Sequence, residues 1–289
     1  MRNLTEDFVE LIRRGSTDLP ADIEAALRKG QAREAPGSAA QGALDTILEN
    51  VALARENSTP ICQDTCVPTF YVHHPRGTDT DEVRAQAEAA LAEATRLTYM
   101  RPNAVDPLTG RNSGNNLGVG FPSFHFADWD QDVLQVDLLL KGGGSENLGV
   151  QYKLPHPLLE ASRDLEGVRR LVLYATYRGQ GKGCAPGILG VAIGGDRPAS
   201  HLHAKEQLLR PLDDVNPNPK LAALEARLLE ECNKLTIGPM GFGGQTTVLG
   251  VKIGAYHRHP ACFFVTIAYM CWACRRAKMT VQGNQVTFA

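Results

Sequence analysis

Residues 164–198 read DLEGVRRLVLYATYRGQGKGCAPGILGVAIGGDRP. Asp164 can cap a helix, and Leu165, Val168, Leu171 and Val172 follow at helical spacing along one face. Gly179, Gly181 and Gly183 break that helix ahead of Cys184, and the apolar run 187–193 predicts a short strand. Gly194-Gly195-Asp196 then leads into another helix near Pro198, a residue suited to a first helical turn. This alternation is that of an α/β fold, with a cysteine on a glycine-rich loop of the kind that carries ligands.

Outward from this stretch the pattern continues. Leu44, Ile47, Leu48 and Val51 fall at helical spacing, and the Ala- and Glu-rich run 80–97 suits a long, partly exposed helix. Between them, 67–73 reads as extended chain, and VLQVDLLL at 133–140 as a strand ending in the turn Gly142-Gly143-Gly144, which brings backbone close to a neighbour. Residues 218–234 predict an amphipathic helix with Leu221, Leu224, Leu228 and Cys232 on its buried stripe, Cys232 acting as a small apolar residue. Two further strands are expected at 248–256 and 262–270. There is no internal repeat or low-complexity linker. The expected fold is α/β, with parallel or mixed sheets surrounded by helices in a single large domain over 1–289 that has room for two lobes.

The chain has 289 residues and 43% hydrophobic content, enough for a sizeable core. Its formal net charge is -2 with both signs dispersed, which provides neither a basic stripe for nucleic acid nor a polybasic patch for membranes. The start, MRNLTEDFVELIRRGS, lacks the apolar core of a signal peptide, and no run approaches a membrane span, so a cytoplasmic location is expected. Seven cysteines in a reducing compartment argue for metal or redox chemistry rather than a disulfide framework.

The sequence Cys62-Gln63-Asp64-Thr65 places a soft metal ligand beside a carboxamide and a carboxylate. Two metal readings follow from cysteine spacing. Cys62-x3-Cys66 with Cys271-x2-Cys274 would give four thiolates to a structural zinc, although about two hundred residues separate the pairs. Cys62, Cys184 and Cys271, one from each of three loops, would instead suit a cubane iron-sulfur cluster with one iron open as a Lewis acid. Spacing leaves both readings open.

ICQDT at 61–65, KGGGSEN at 141–147, IGPMGFGGQTT at 237–247, RHPA at 258–261 and CWA at 271–273 together resemble the iron-sulfur hydro-lyases of the tartrate dehydratase and class I fumarase group. The motifs are independent, in order, and spread over most of the chain. The resemblance implies a 4Fe-4S cluster held by Cys62, Cys184 and Cys271, whose fourth iron takes the hydroxyl and a carboxylate of a hydroxy dicarboxylic acid. Cys66 stands where that family commonly has glycine, and Cys262 and Cys274 where other residue types are usual, so these three are read as neighbours. Gln63 and Asp64 are assigned to substrate contact, with Asp64 as a proton donor or acceptor; the plainer reading of Asp64 is a turn cap. Arg101 matches an arginine able to grip a carboxylate bidentately, against the alternative of a solvated surface arginine. Gly144, with Ser145, would present backbone N–H groups to the other carboxylate. His259 matches a histidine kept close to the active site, the alternative being a structural role.

The longest members of that group carry a second, C-terminal domain with further carboxylate-binding residues, and this sequence ends at Ala289. The resemblance is therefore to an alpha subunit that works with a separate beta subunit, as an α2β2 heterotetramer or on an alpha-alpha dimer. The SEN triplet resembles fumarase-type chains and the CWA segment tartrate dehydratase types, with fumarate and malate favoured and tartrate or mesaconate open. The alternative from a different class is a non-catalytic zinc or iron-sulfur scaffold.

Overall fold

Cap residues set the helix starts. In the computed structural model, which describes residues 2–289, helices and strands follow one another as α1 (Thr5–Thr17), α2 (Ala21–Gln31), α3 (Ala39–Asn57), β1 (Val67–Pro75), α4 (Thr80–Arg96), β2 (Ser123–Trp129), β3 (Leu134–Lys141), the single turn α5 (Gly143–Glu146), β4 (Val150–Lys153), α6 (Leu165–Gly179), β5 (Gly187–Ile193), α7 (Arg197–Glu206), α8 (Pro219–Asn233), β6 (Val248–Ala255), β7 (Phe264–Met270), β8 (Arg275–Gln282) and β9 (Gln285–Phe288). Asp164 Oδ1 accepts the Gly167 N–H at 2.7 Å, Asp196 caps α7 through Ala199 N–H, and Asn218 caps α8 through Lys220 N–H.

The chain divides into two compact units. The first comprises the chain up to Pro20, Glu49–Gly143 and Ala273–Ala289. Its five-stranded sheet has the order β2-β1-β3-β8-β9, with β1 and β2 parallel and the other pairs antiparallel. Phe8, Leu11 and Ile12 of α1 and Val83, Ala87, Ala90 and Leu91 of α4 pack with Phe70, Val72, Val136 and Leu138 from one face of that sheet. Alanines on α4 let the helix lie close, and each fully buried Leu, Ile or Phe contributes roughly 1.5–3 kcal/mol.

The second unit comprises Ala21–Leu48 and Gly144–Trp272. Its four-stranded sheet runs β4-β7-β5-β6, with β5 parallel to β6 and β7 antiparallel to both β4 and β5. Leu189, Val191 and Ile193 of β5 face Val168, Leu171 and Val172 of α6 and Leu221, Leu224, Leu228 and Cys232 of α8. α7 lies against β5 and β7 so closely that a Cβ added at Gly190 would sit 2.2 Å from the Ala204 carbonyl oxygen. Cys232 is fully buried beside Thr176, and burial pushes its thiol up to about 11.

Both sheets are mixed and carry packed helices, in agreement with the expected α/β class. Two details differ. Leu165 is 36% exposed rather than part of the buried face, because it is the first residue of α6 and turns away from the sheet. The glycine run after β3 is a turn only at Gly142; from Gly143 it winds into α5. No helix among the described residues is long and apolar enough to cross a membrane.

Candidate functional site

In the first unit, the Cys62-Gln63-Asp64 loop enters β1 and is fastened mostly through its main chain. Ile61 N–H donates to Ser16 O at 3.0 Å, and Asn50 Nδ2 donates to Ile61 O at 2.9 Å. Cys62 and Asp64 are half-buried and Gln63 is exposed. Asp64 Oδ1 accepts the Cys66 N–H at 3.1 Å, so the turn-cap reading of Asp64 is realised, and this uses one carboxylate oxygen. The other, Oδ2, faces Gly142: a Cβ added there would sit 2.7 Å from it. The glycine at the end of β3 makes room for this carboxylate, which is the close approach expected from the glycine run.

Cys66 has φ +87, in the left-handed region where glycine is at ease and a side chain is strained. Arg275 Nη2 donates to its sulfur at 2.6 Å. Arg275 and Lys141 are both 1% exposed and lie at the end of the sheet where the loop enters, Lys141 opposite Val67 and Arg275 opposite Leu140. Two buried cations at one sheet end favour negative charge in the loop above them.

Thr65, fully buried, couples this loop to Arg101. Its Oγ1 accepts the Arg101 N–H at 3.0 Å and donates to the Arg101 carbonyl at 3.1 Å. Asn116 Nδ2, also buried, donates to the same carbonyl at 2.9 Å. The main chain of Arg101 is thereby held while its side chain is exposed. The sequence singled out Arg101 but gave no role to Thr65, Asn116, Lys141 or Arg275; Thr65 and Lys141 carried a signal, as the last residue of ICQDT and the first of KGGGSEN.

In the second unit, antiparallel pairing of Ile188 with Met270 sets Cys184 and Cys271 at the same end of the sheet. Cys184 is exposed at φ +55, its N–H donates to Gly181 O at 3.1 Å, and Trp272 N–H donates to Cys184 O at 3.3 Å. Cys271 is half-buried, and its N–H donates to Ser145 Oγ at 3.2 Å. Tyr269 fills the space beneath: a Cβ at Gly183 or at Gly187 would each sit 2.3 Å from a carbon of its ring. Burial, followed by the negative charge available at Cys271 and Cys184, holds the Tyr269 phenol well above its ordinary range. The sheet end therefore brings together Cys184, Cys271 and, through Ser145, the Gly144 turn.

His259 lies elsewhere. The loop joining β6 to β7 leaves the sheet where Ile193 pairs with Val265, and Gly195 N–H donates to His257 O at 3.3 Å. The five steps from Ile188 to Ile193 span about 17 Å of strand. His259 and Cys271 thus stand at opposite ends of the same sheet, so the second unit by itself does not set this histidine beside Cys184 and Cys271. The length of β7 lies between His259 and Cys271. The His259 end has its own order: Arg258 Nη1 donates to the carbonyls of His259, Pro260 and Cys262, and His259 Nδ1 accepts the Ala261 N–H at 3.1 Å, which leaves Nε2 as the outward nitrogen. Asp196, His257, His259, Cys262 and Phe264 line a cavity of about 280 Å³ there.

All seven cysteines are thiols. Cys66, Cys232 and Cys274 are buried, and Cys262 belongs to the His259 end, which leaves Cys62, Cys184 and Cys271 as the thiols with outward access at the motif loops. Among the described residues no three His, Cys, Asp or Glu side chains are close enough to hold a single metal ion. A structural zinc needs four such donors around one ion, and Cys66 and Cys274 are buried in the first unit against arginine. A cubane takes a soft thiolate at each of three irons, and within the second unit Cys184 and Cys271 offer two at one sheet end.

A family model described as Fumarate hydratase (Fumerase) matches residues 5–280. The chain is 50% identical over 287 residues to a Geobacillus stearothermophilus protein named "Putative fumarate hydratase class I", covering 98% of this chain but 56% of that protein. It is 32% identical over 280 residues to a Methanocaldococcus jannaschii protein named "Putative L(+)-tartrate dehydratase subunit alpha", covering 95% of this chain and 96% of that one. With the L(+)-tartrate dehydratase subunit alpha of Escherichia coli K12 it shares 30% identity over 289 residues, 98% of this chain and 92% of the other. With these matches and the thiol, carboxylate and glycine-turn geometry in view, the chain belongs to the fumarate hydratase (Fumerase) family.

Proposed function

We propose that this chain is the cluster-bearing part of a hydro-lyase that reversibly hydrates fumarate to malate. The observation that carries the reading is the pairing of Cys184 with Cys271 at one sheet end, joined through Ser145 to the Gly144 turn. With Cys62, these thiols would hold a 4Fe-4S cluster, which when bound supplies an open Lewis-acid iron for the substrate hydroxyl.

The protein's own groups would do the rest. Gln63, exposed on its loop, would hydrogen-bond a substrate oxygen. Asp64, oriented by Cys66 N–H and given room by Gly142, would carry the proton of the adjacent carbon from its Oδ2. Arg101, with its main chain held by Thr65 and its guanidinium exposed, would grip one carboxylate, and the Gly144 main chain would bind the other. His259 would contribute through Nε2, and because β7 separates it from Cys271, it would serve the site of a second copy of the chain. A dimer of alpha chains is proposed on that ground.

Fumarate is favoured over tartrate because the relative at 50% identity is named for fumarate hydratase, and those named for tartrate dehydratase share 32% and 30%. A beta partner is proposed because the latter two are named as alpha subunits, and a cytoplasmic location is proposed because free thiols of this kind belong to a reducing compartment. The test is anaerobic reconstitution of the chain with iron and sulfide, with and without a candidate beta chain, followed by assays on fumarate, mesaconate and L(+)-tartrate. The expected result is about four irons per chain and turnover of fumarate first. Stoichiometric zinc and indifference to oxygen would sink the reading.

A further inference from the structure

The segment 144–149 touches both cysteine loops of the second unit. Ser145 is 4% exposed and takes the Cys271 N–H on its Oγ at 3.2 Å. Three residues on, Leu148 packs against Gly183, the residue before Cys184: a Cβ added at Gly183 would sit 2.4 Å from Leu148 Cδ1. Glu146 pairs with Lys205, which ties the same turn to α7. Cys271 is the first residue after β7, where its N–H needs an acceptor beyond the end of the strand. A serine hydroxyl meets that need and keeps its own proton to donate elsewhere.

We propose that Ser145 is a positioning residue whose hydroxyl holds Cys271 in register with the Gly144 main chain, so that the dicarboxylate-binding turn and the cluster ligand move as one body. The inference rests on the proposed roles of Gly144 and Cys271. It assigns Ser145 no contact with substrate. Removing the hydroxyl, as alanine does, takes the Ser145 acceptor from the half-buried Cys271 N–H and frees the turn from the cysteine, whereas threonine retains the oxygen.

The experiment compares Ser145→Ala and Ser145→Thr with the parent in the full chain. Before reconstitution, alkylation of individual cysteines is followed by mass spectrometry: S145A is expected to speed modification of Cys271 by about tenfold, as for loss of one hydrogen bond, with Cys184 unchanged and S145T close to the parent. After reconstitution, S145A is expected to raise the KM for fumarate more than it lowers kcat. Equal Cys271 reactivity in S145A and the parent, or equal slowing of every parameter, would overturn the proposal. Should S145A fail to fold, hydrogen exchange in the parent decides: a protected Cys271 amide supports the proposal and a rapidly exchanging one overturns it. If the parent takes up no iron, the functional reading fails, while alkylation and exchange still judge the hydrogen bond.

Discussion

The two ends of the four-stranded sheet are built from different materials. At one end, Cys184 and Cys271 stand among glycines, over a buried tyrosine, with a serine as hydrogen-bond partner. At the other, His257, Arg258, His259 and Asp196 surround a cavity, and the arginine is spent on holding loop carbonyls. The first set offers soft donors and close backbone approach; the second offers groups that move protons or bind anions. One sheet thus carries two kinds of chemistry that its own strands keep apart, so a single copy cannot place them in one site through this unit.

The largest effects should separate the ends by metal content. Cys184→Ser or Cys271→Ser is expected to abolish retention of reconstituted iron, whereas Cys262→Ser, at the other end, leaves it intact. Iron and sulfide analysis checks this, and iron loss in C262S would break the comparison. Next comes His259→Asn, expected to lower fumarate hydration by about 10²–10⁴-fold, the usual contribution of a proton-transferring group, with iron content unchanged. Mixing H259N with C271S chains sharpens the point. If His259 serves a neighbouring copy, the mixture regains part of the activity that each variant lacks; no recovery would place His259 outside that role.

Asp64→Asn carries the comparison into the first unit. Asparagine caps the same turn, so Cys66 N–H keeps its acceptor and thermal stability should hold within about 1 kcal/mol. Activity should fall by about 10²–10⁴-fold if the second oxygen handles a proton. A variant with normal turnover would reduce Asp64 to its cap.

Much of the fold was legible because local signals agreed with tertiary demand. β5 was expected at 187–193 and is found there, since a run buried on both faces is bounded by glycines that end it. The starts of α6, α7 and α8 follow from Asp164, Asp196 and Asn218. β2, β4, β8 and β9 were missed. β8 reads RRAKMTVQ, and its inward row begins with Arg275, a charged residue buried by partners distant in sequence. β4 is four residues long and β2 is partly exposed throughout, so neither gives a strong alternation. In the site, the motif residues were readable, but their fastening was not. Thr65 to Arg101 and Ser145 to Cys271 are contacts across 36 and 126 residues. The separation of His259 from Cys271 along β7 has the same origin, because strand direction, unlike spacing, is a property of the sheet.

The smallest effect concerns a part of the second unit that touches neither end and so serves as a control. Arg169 hydrogen bonds hold the Glu166 carboxyl down from 4.5 to about 2, against the opposing pull of its partial burial, with Arg227 and Arg170 adding attraction. The lowered value means that the unfolded chain takes up the proton first. The ion pair's contribution is therefore complete above pH 4.5 and is lost as pH falls through that range toward 2. Glu166 is 43% exposed, so solvent screening limits the contribution to about 1 kcal/mol or less. Glu166→Gln should lower the urea midpoint slightly at pH 6, and the gap from the parent should narrow through pH 3 and close only near pH 2. Cys271 alkylation at pH 6 should not respond, because the helices α6 and α8 that share this ion network pack on the sheet face and not on its ends. A change in Cys271 reactivity in E166Q would mean that the sheet end is coupled to the helix layer, and the two ends would then not be independent.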